Sequence, residues 1–335
     1  MHPALQGVIT IIVGVGGCVG YFYFANQFLD RVLFPAKGPN ISRNINRANM
    51  IRPWLFLFPA LAALGLYLAY PVWETLRLSL TERVPGGGYA FVGLDNYSQM
   101  MDEPKFWEAL RNNMLWLIVV PAFSTAFGLL AAQLTDRISW GNLAKSIIFM
   151  PMAISFVGAA VIWKLVYDQR PLGQEQIGVL NALYLWVGGE QPQSWLTIPF
   201  WNNFFLMAVL VWIQTGFAMV ILSAALRGIP EETIEAAIID GANPFQIFFK
   251  IKVPQIMGTI VVVWTTITIV VLKIFDIVFA MTNGQWETQV LANYMYDKLF
   301  RANDWGVGSA AAMVIMLLVT PILVWNVYNA RKEMR

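Results

Sequence analysis

Apolar residues in this chain gather into long runs instead of the spaced faces of a water-soluble helix. Seven windows come close to or exceed the roughly 20 residues that a helix needs to cross a hydrocarbon core. They are Leu5–Phe28, Trp54–Trp73, Met114–Leu134, Ile147–Tyr167, Phe204–Leu226, Met257–Ala280 and Ala310–Val327. Pro59, Pro121, Pro151 and Pro321 fall inside four of them. A bundle tolerates such breakers because neighbouring helices re-satisfy the freed backbone groups. The short alternating segments of a membrane β-barrel are absent. The pattern predicts an all-α fold, a polytopic membrane bundle of about seven transmembrane helices.

Composition then removes whole classes of chemistry. Of the 335 residues, 58% are apolar and 13% charged, where a soluble domain carries about 25% charge. A single Cys (Cys18) and a single His (His2) exclude a disulfide framework and a Cys/His cluster, so no metal is expected. The net charge of +2 gives no footprint for nucleic acid. An intramembrane enzyme would need a nucleophile and base deep in the bundle, and these residues offer a poor set.

Basic residues orient the spans. Alternate connections carry Arg31, Lys37, Arg43, Arg47 and Arg52, then Arg137 and Lys145, then Arg227, Lys250 and Lys252, then Arg331, Lys332 and Arg335. The opposite, longer connections carry fewer: Arg77, Arg83, Lys105, Arg111, Lys164, Arg170, Lys298 and Arg301. The excess of positive charge marks the cytoplasmic side, so the C-terminus is expected inside and the N-terminus outside. Val15-Gly16-Gly17-Cys18 is faintly similar to a lipoprotein cleavage site, but no Lys or Arg precedes it and the apolar run continues to Phe28. An anchor helix is expected there instead, with Gly16 and Gly20 spaced for helix packing. Trp54, Trp73, Trp163, Trp201, Trp325 and Tyr328 fall near span ends, as interface anchors do.

One cytoplasmic connection, residues 227–254, stands apart. Pro230 suits a first helical turn, with Glu231 and Glu232 where the helix dipole favours anions. Gly241 is placed to end that helix in the left-handed conformation. Asn243 and Pro244 are expected to cap and open a second helix, which Pro254 stops before the sixth span. The first helix sets small Ala236 and Ala237 among large Ile234, Ile238 and Ile239. Exposed apolar groups of this kind suit a knob for another protein's groove. The acidic Glu231, Glu232, Glu235 and Asp240 count against a lipid-surface helix, because inner leaflets are anionic.

The order Glu235-Ala236-Ala237, Gly241, Ile251-x-Val253-Pro254 closely resembles the "EAA" loop of binding-protein-dependent ABC importer permeases, with Val253 where Leu is commoner. Phe91-Val92-Gly93-Leu94-Asp95-Asn96-Tyr97, Phe106-Trp107 and Asn112-Asn113 resemble the external segment of the carbohydrate branch. Phe275-Asp276-Ile277-Val278 with Thr282 resembles a motif near the outer end of its penultimate span, although Asn283-Gly284-Gln285-Trp286 replaces the usual Gly-Gly-Gly-Pro. The additional first helix is similar to that of the F-type subunit of maltose and α-glucoside importers.

This resemblance implies a type I importer permease with residues 1–52 as an extra transmembrane helix and basic cytoplasmic loop, and 53–335 as the permease core. It implies that Glu235, Ala236, Ala237, Asp240, Gly241, Ala242, Ile251 and Pro254 couple the chain to an ATPase. The implied partners are a second homologous permease, two ATP-binding cassette subunits, an extracytoplasmic sugar-binding protein and the lipid bilayer of a bacterial inner membrane. No phosphate-cradling Gly-x4-Gly-Lys-Ser/Thr occurs in the chain. No cofactor is therefore expected on it, and ATP and Mg are expected on the partner ATPase.

Sugars are uncharged and rich in hydroxyls, so a path for them needs neutral polar groups beside apolar platforms. Polar and flanking residues within spans supply the candidates: Met152, Ser155 and Phe156 in the fourth, Gln214, Thr215 and Phe217 in the fifth, and Trp264, Thr265, Thr266 and Thr268 in the sixth. Aligned with maltose-type F subunits, Gln214, Phe217, Val271 and Ile274 fall at sugar-lining positions. For Thr and Ser, bonding within their own helix competes with a ligand role. Lys273 and Asp276 are expected on one helix face near the outer surface, as an ion pair or partner contact. The cargo implied is an α-glucoside such as maltose, trehalose or sucrose, or glucosylglycerol. The competing reading is a secondary transporter or channel, which would show inverted repeats and mid-membrane acidic relays.

Overall fold

A computed structural model describes residues 3–35, 37 and 41–333. His2 and Arg335 lie outside the described residues, as do the side chains of Arg331 and Lys332. The chain separates into two compact units, 1–74 and 75–335.

The first unit begins with helix α1, Pro3–Phe28, which widens into a π turn at Leu29–Leu33. Helix α2 (Ile41–Ser79) crosses Pro53, Pro59 and a π turn at Gly65–Ala69 in this unit, and its residues from Thr75 onward belong to the second. Much of the expected basic loop is thus helical, and Arg43, Arg47 and Arg52 ride on the first turns of α2. Within this unit the two helices are tied by Tyr21 Oη donating to the Leu55 carbonyl at 2.9 Å and by Arg52 paired with Asp30 at 2.7 Å.

The second unit opens with a small antiparallel hairpin, β1 (Thr81–Arg83) and β2 (Tyr89–Phe91), with Glu82 opposite Ala90. Helices α3 (Asp95–Asp102) and α4 (Pro104–Thr135) follow. Helix α5 (Gly141–Phe149) passes through a 3-10 turn at Met150–Ala153 into α6 (Phe156–Val166), then α7 (Val179–Trp186) and α8 (Trp201–Arg227). The remainder is α9 (Glu231–Ile239), α10 (Pro244–Gln255), α11 (Met257–Leu272), α12 (Asp276–Met281), α13 (Leu291–Tyr296) and α14 (Trp305–Glu333).

Among the described residues, five helices are long and apolar enough to cross a membrane, and two bent pairs raise the total to seven. Breaks within two expected spans correct the sequence reading. The expected fourth span is broken, its two halves meeting at 105° across the extended Ile154 and Ser155, with Ser155 capping α6 by accepting from Gly158 N–H. The expected sixth span, Met257–Ala280, ends at Leu272 and resumes at Asp276, because Lys273 and Phe275 leave helical geometry. Lys273 and Asp276 therefore lie on either side of a break instead of along one helix face. Lys273 is exposed, and no ion pair joins the two among the described residues.

Helices α4 and α8 make the core of this unit, running parallel. Gly128 allows them to touch: a β-carbon there would stand 2.4 Å from the Ala218 β-carbon. Trp116, Val120, Leu206, Leu210, Met219 and Leu222 fill the seam, with Ile267 and Val271 of α11 behind them. Trp163, half-buried, joins this packing edge-on to Trp212, with ring centroids 5.7 Å apart. A second apolar cluster, with Met100, Phe106, Leu291, Tyr294 and Val307, closes the opposite end.

Candidate functional site

The segment between α8 and α11 is built largely as its residues dictate. Pro230 stands one position ahead of α9 as its N-cap, and Glu231 and Glu232 occupy the first turn. At the other end Gly241 adopts φ +79°. Gly241 N–H donates to the Ile238 carbonyl at 3.0 Å and Ala242 N–H to the Ala237 carbonyl at 2.9 Å. These paired bonds are a Schellman closure, and its left-handed residue favours glycine. Asn243 then makes a reciprocal capping box with Gln246, both bonds 2.9 Å, and Pro244 opens α10.

Pro254 does not end that helix. The ladder slips into a π turn over Ile247–Lys252, so that Val253 N–H reaches the Phe248 carbonyl just before Pro254, which has no N–H to give. The chain turns instead at Ile256, and α10 meets α11 at 70°.

This segment has two faces. Ile229, Ala237 and Ile247 are buried, and Ile234 packs on the core. Glu235, Ala236, Asp240, Gly241 and Pro254 are exposed, while Ala242 and Ile251 are half-buried. Ala236 and Ala237 part company because adjacent helical residues point about 100° apart: Ala237 anchors and Ala236 is presented. Beyond them Ile239 is 86% exposed and Phe245 77%, with Ile238 and Phe249 also open. Phe245 and Phe249 escaped the sequence reading, although two aromatic residues in a charged connection are the signal. Lys252 sits within 3.3 Å of the Gln133 side-chain amide. Burial and the nearby Arg137 push its ammonium below the usual lysine range, against the opposing pull of Asp136.

The candidates for a sugar path are spread over α6, α8, α11 and their junctions. Thr215, Thr265, Thr266 and Thr268 each donate to carbonyls of the preceding turn of their own helix. Ser155 is spent as a cap. Val271 and Ile274 are buried in the apolar core, and Phe156 and Phe217 pack against it. Met152 and Trp264 are exposed. Gln214 differs: it is 93% buried (7% exposed) and makes no hydrogen bond among the described residues. Ser124 and Thr125 of α4 were missed by the sequence reading. Both are buried, and their hydroxyls have no hydrogen-bond partner among the described residues. Since Gly128 abuts Ala218, Ser124 and Gln214 each stand four residues back along parallel, touching helices, at the same depth.

At the other end of the unit, the sugar-permease-like asparagines serve the scaffold. Asn96 Nδ2 donates to the Ser79 and Thr81 carbonyls. Asn112 Nδ2 donates to the Glu287 and Gln289 carbonyls at 2.9 and 2.8 Å, and Asn202 to Trp286. Asn112 and Asn202 thus hold a turn in which Asn283, Trp286 and Glu287 all take positive φ. Left-handed backbone persists outside glycine only where its surroundings over-determine it. That demand explains a glycine-rich sequence at this position in the resembling motif.

Residues 124–334 match the family described as "Binding-protein-dependent transport system inner membrane component". The chain is 64% identical to the alpha-glucoside transport system permease protein AglF of Rhizobium meliloti (strain 1021), covering 99% of each. It is 47% identical to the osmoprotective compounds uptake permease protein GgtC of Synechocystis sp., over 84% of this chain and 100% of that one. A bacterial ABC transporter involved in import of the acidic polysaccharide alginate has a similar fold. Its TM-score is 0.71 at 21% identity, over 87% of this chain and 98% of that one. The architecture is that of a type I importer permease, a multi-pass transport subunit and not an enzyme. The chain belongs to the family of binding-protein-dependent transport system inner membrane components.

Proposed function

We propose that this chain forms half of the translocation path of an ATP-driven importer in a bacterial inner membrane, and that its cargo is a small α-glucoside. One observation carries the coupling part. Ile238 and Ile239 of α9 and Phe245 and Phe249 of α10 are open to solvent beside the exposed Glu231, Glu232, Glu235 and Asp240, and the corner between the two helices is fixed by the Schellman closure and the capping box. Water does not stabilise such a face, and a partner's groove does. The α-glucoside class rests on the 64% identity to an alpha-glucoside transport system permease protein.

ATP and Mg belong to two ATPase subunits, one docked on this loop and one on a homologous permease, while a binding protein delivers the sugar from outside. ATP binding closes the ATPase pair, the docked loops follow, and the two bundles shift between inward-open and outward-open populations. Glu235, Ala236, Asp240, Gly241, Ala242, Ile251 and Pro254 make or shape the docking surface, and Ala237 seats it. In the path Gln214 reads hydroxyls, with Ser124 and Thr125 beside it, and Phe217 and Phe156 provide apolar walls. Val271, Ile274 and Thr268 join that lining when the helices separate, and Met152, Ser155, Thr215 and Trp264 flank it.

The test is purification of the chain from a host co-expressing the neighbouring transport subunits, followed by reconstitution in vesicles with the binding protein. Co-purifying ATPase and uptake of labelled α-glucoside that stops without ATP support the reading. Uptake by the chain alone would instead establish a secondary transporter or channel.

A further inference from the structure

The root of the exposed loop is locked by a carboxylate that the transport reading leaves unused. Asp136 lies at the C-cap of α4, its side chain 19% exposed. It accepts a short bond from Lys145 Nζ of α5 and bonds from Ser223 Oγ of α8 at 3.0 and 3.2 Å to its two oxygens. Lys145 Nζ also donates to Ser223 Oγ at 2.7 Å, and Arg227 Nε stands 3.9 Å from the carboxylate. Lys145 is 15% exposed at its side chain and Ser223 is 1% exposed. The cluster is therefore shielded from the screening that weakens surface pairs.

Three helices converge on this one side chain: the end of α4, the middle of α5 and the last turn of α8. The turn that brings α5 back onto it is tight: a β-carbon on Gly141 would stand 1.9 Å from the Thr135 carbonyl oxygen. Ser223 and Arg227 form the last turn of α8, directly ahead of Gly228, Ile229 and Pro230, which lead into α9. Those three connecting residues are the natural place for the joint to bend. A force applied at α9 enters the bundle through that last turn. The last turn is fastened to α4 and α5 through Asp136.

We propose that Asp136 is a positioning residue for energy coupling: with Lys145 and Ser223 it fastens the end of α8, so that displacement of α9 moves α4, α5 and α8 together instead of flexing the joint. The proposal rests on the reading of residues 231–254 as the ATPase-docking segment.

The experiment uses the full complex in vesicles with its binding protein and reads sugar transported per ATP hydrolysed. Asp136→Ala is expected to lower that ratio about tenfold, the scale of one lost partly buried ion pair, with assembly and ATPase rate retained. Combining Asp136→Lys with Lys145→Asp is expected to recover most of the ratio, which a merely structural role would not require. Should Asp136→Ala fail to assemble, Asp136→Asn, which keeps the shape and the acceptor for Ser223, is expected to show the same drop. An unchanged ratio in the assembled variant overturns the proposal, as does a reversed pair no better than Asp136→Ala. Cross-linking of Ile239→Cys to the ATPase is run in parallel. Absence of the cross-link overturns the docking reading and this proposal with it. A cross-link together with an unchanged ratio overturns this proposal alone.

Discussion

Gly241 shows how much a single backbone angle decides. Its surroundings are open, with nothing within 4 Å of where a β-carbon would sit, so a side chain there meets no steric wall. What it meets is φ +79°, which costs an L-residue about 1–2 kcal/mol and a β-branched one more. Gly241→Val is therefore expected to insert normally yet to loosen the α9–α10 corner. Uptake should fall while ATP hydrolysis continues, and normal uptake per ATP would refute it. Gly128 is the opposite case, constrained by space and not by angle. Gly128→Val is expected to push α4 off α8 and to destabilise the bundle by about 1–3 kcal/mol, read as a lowered thermal midpoint in detergent. Gln214→Leu keeps the volume and removes the buried amide. We expect it to cut sugar uptake while sparing assembly, measured as transport at saturating binding protein. Unaltered uptake would remove Gln214 from the path.

At the scale of elements, the loop between α8 and α11 was legible because its rules are local. A proline ahead of acidic residues, a glycine stop, and an asparagine followed by proline each specify a backbone state within three or four residues. All were found, with Pro230 displaced by one position to the cap. Asn243→Ala removes one side of the capping box and is expected to cost about 1 kcal/mol of helix stability. Greater proteolytic nicking between α9 and α10 in vesicles would register that loss, and unchanged nicking would count against it. The broken spans were not legible. Apolar runs 147–167 and 257–280 read as single helices because hydropathy sums over a window and carries no information on direction. Whether the chain bends at Ile154–Ser155 or at Lys273 depends on what neighbouring helices offer the freed carbonyls.

For the whole molecule, the long exposed apolar surface of the bundle is what its composition demands of a membrane protein. The charged-rimmed patch around Ile239 and Phe245 differs in kind, because it lies on the polar segment between two spans. If an ATPase covers it, binding stabilises the folded permease by mass action, by about 2.7 kcal/mol at a hundredfold excess over the dissociation constant. Adding the cognate ATPase subunit to the purified permease is thus expected to raise its thermal midpoint, and Ile239→Asp is expected to abolish the rise. A rise that survives Ile239→Asp would place the docking surface elsewhere.

The amino-acid order alone determined the apolar character of the chain, the number of its apolar segments and the caps of the loop. Each of these follows from transfer energy or from backbone rules that act over a few residues. The tertiary structure decided which of two adjacent alanines is buried and where two spans break. It also decided that Asn96, Asn112 and Asn202 hold backbone carbonyls, and that Asp136 gathers Lys145 and Ser223 from helices 9 and 87 residues away in sequence. Those outcomes depend on which helix faces meet, and a hydrophobic run is nearly the same on every face, so its sequence leaves that choice to packing.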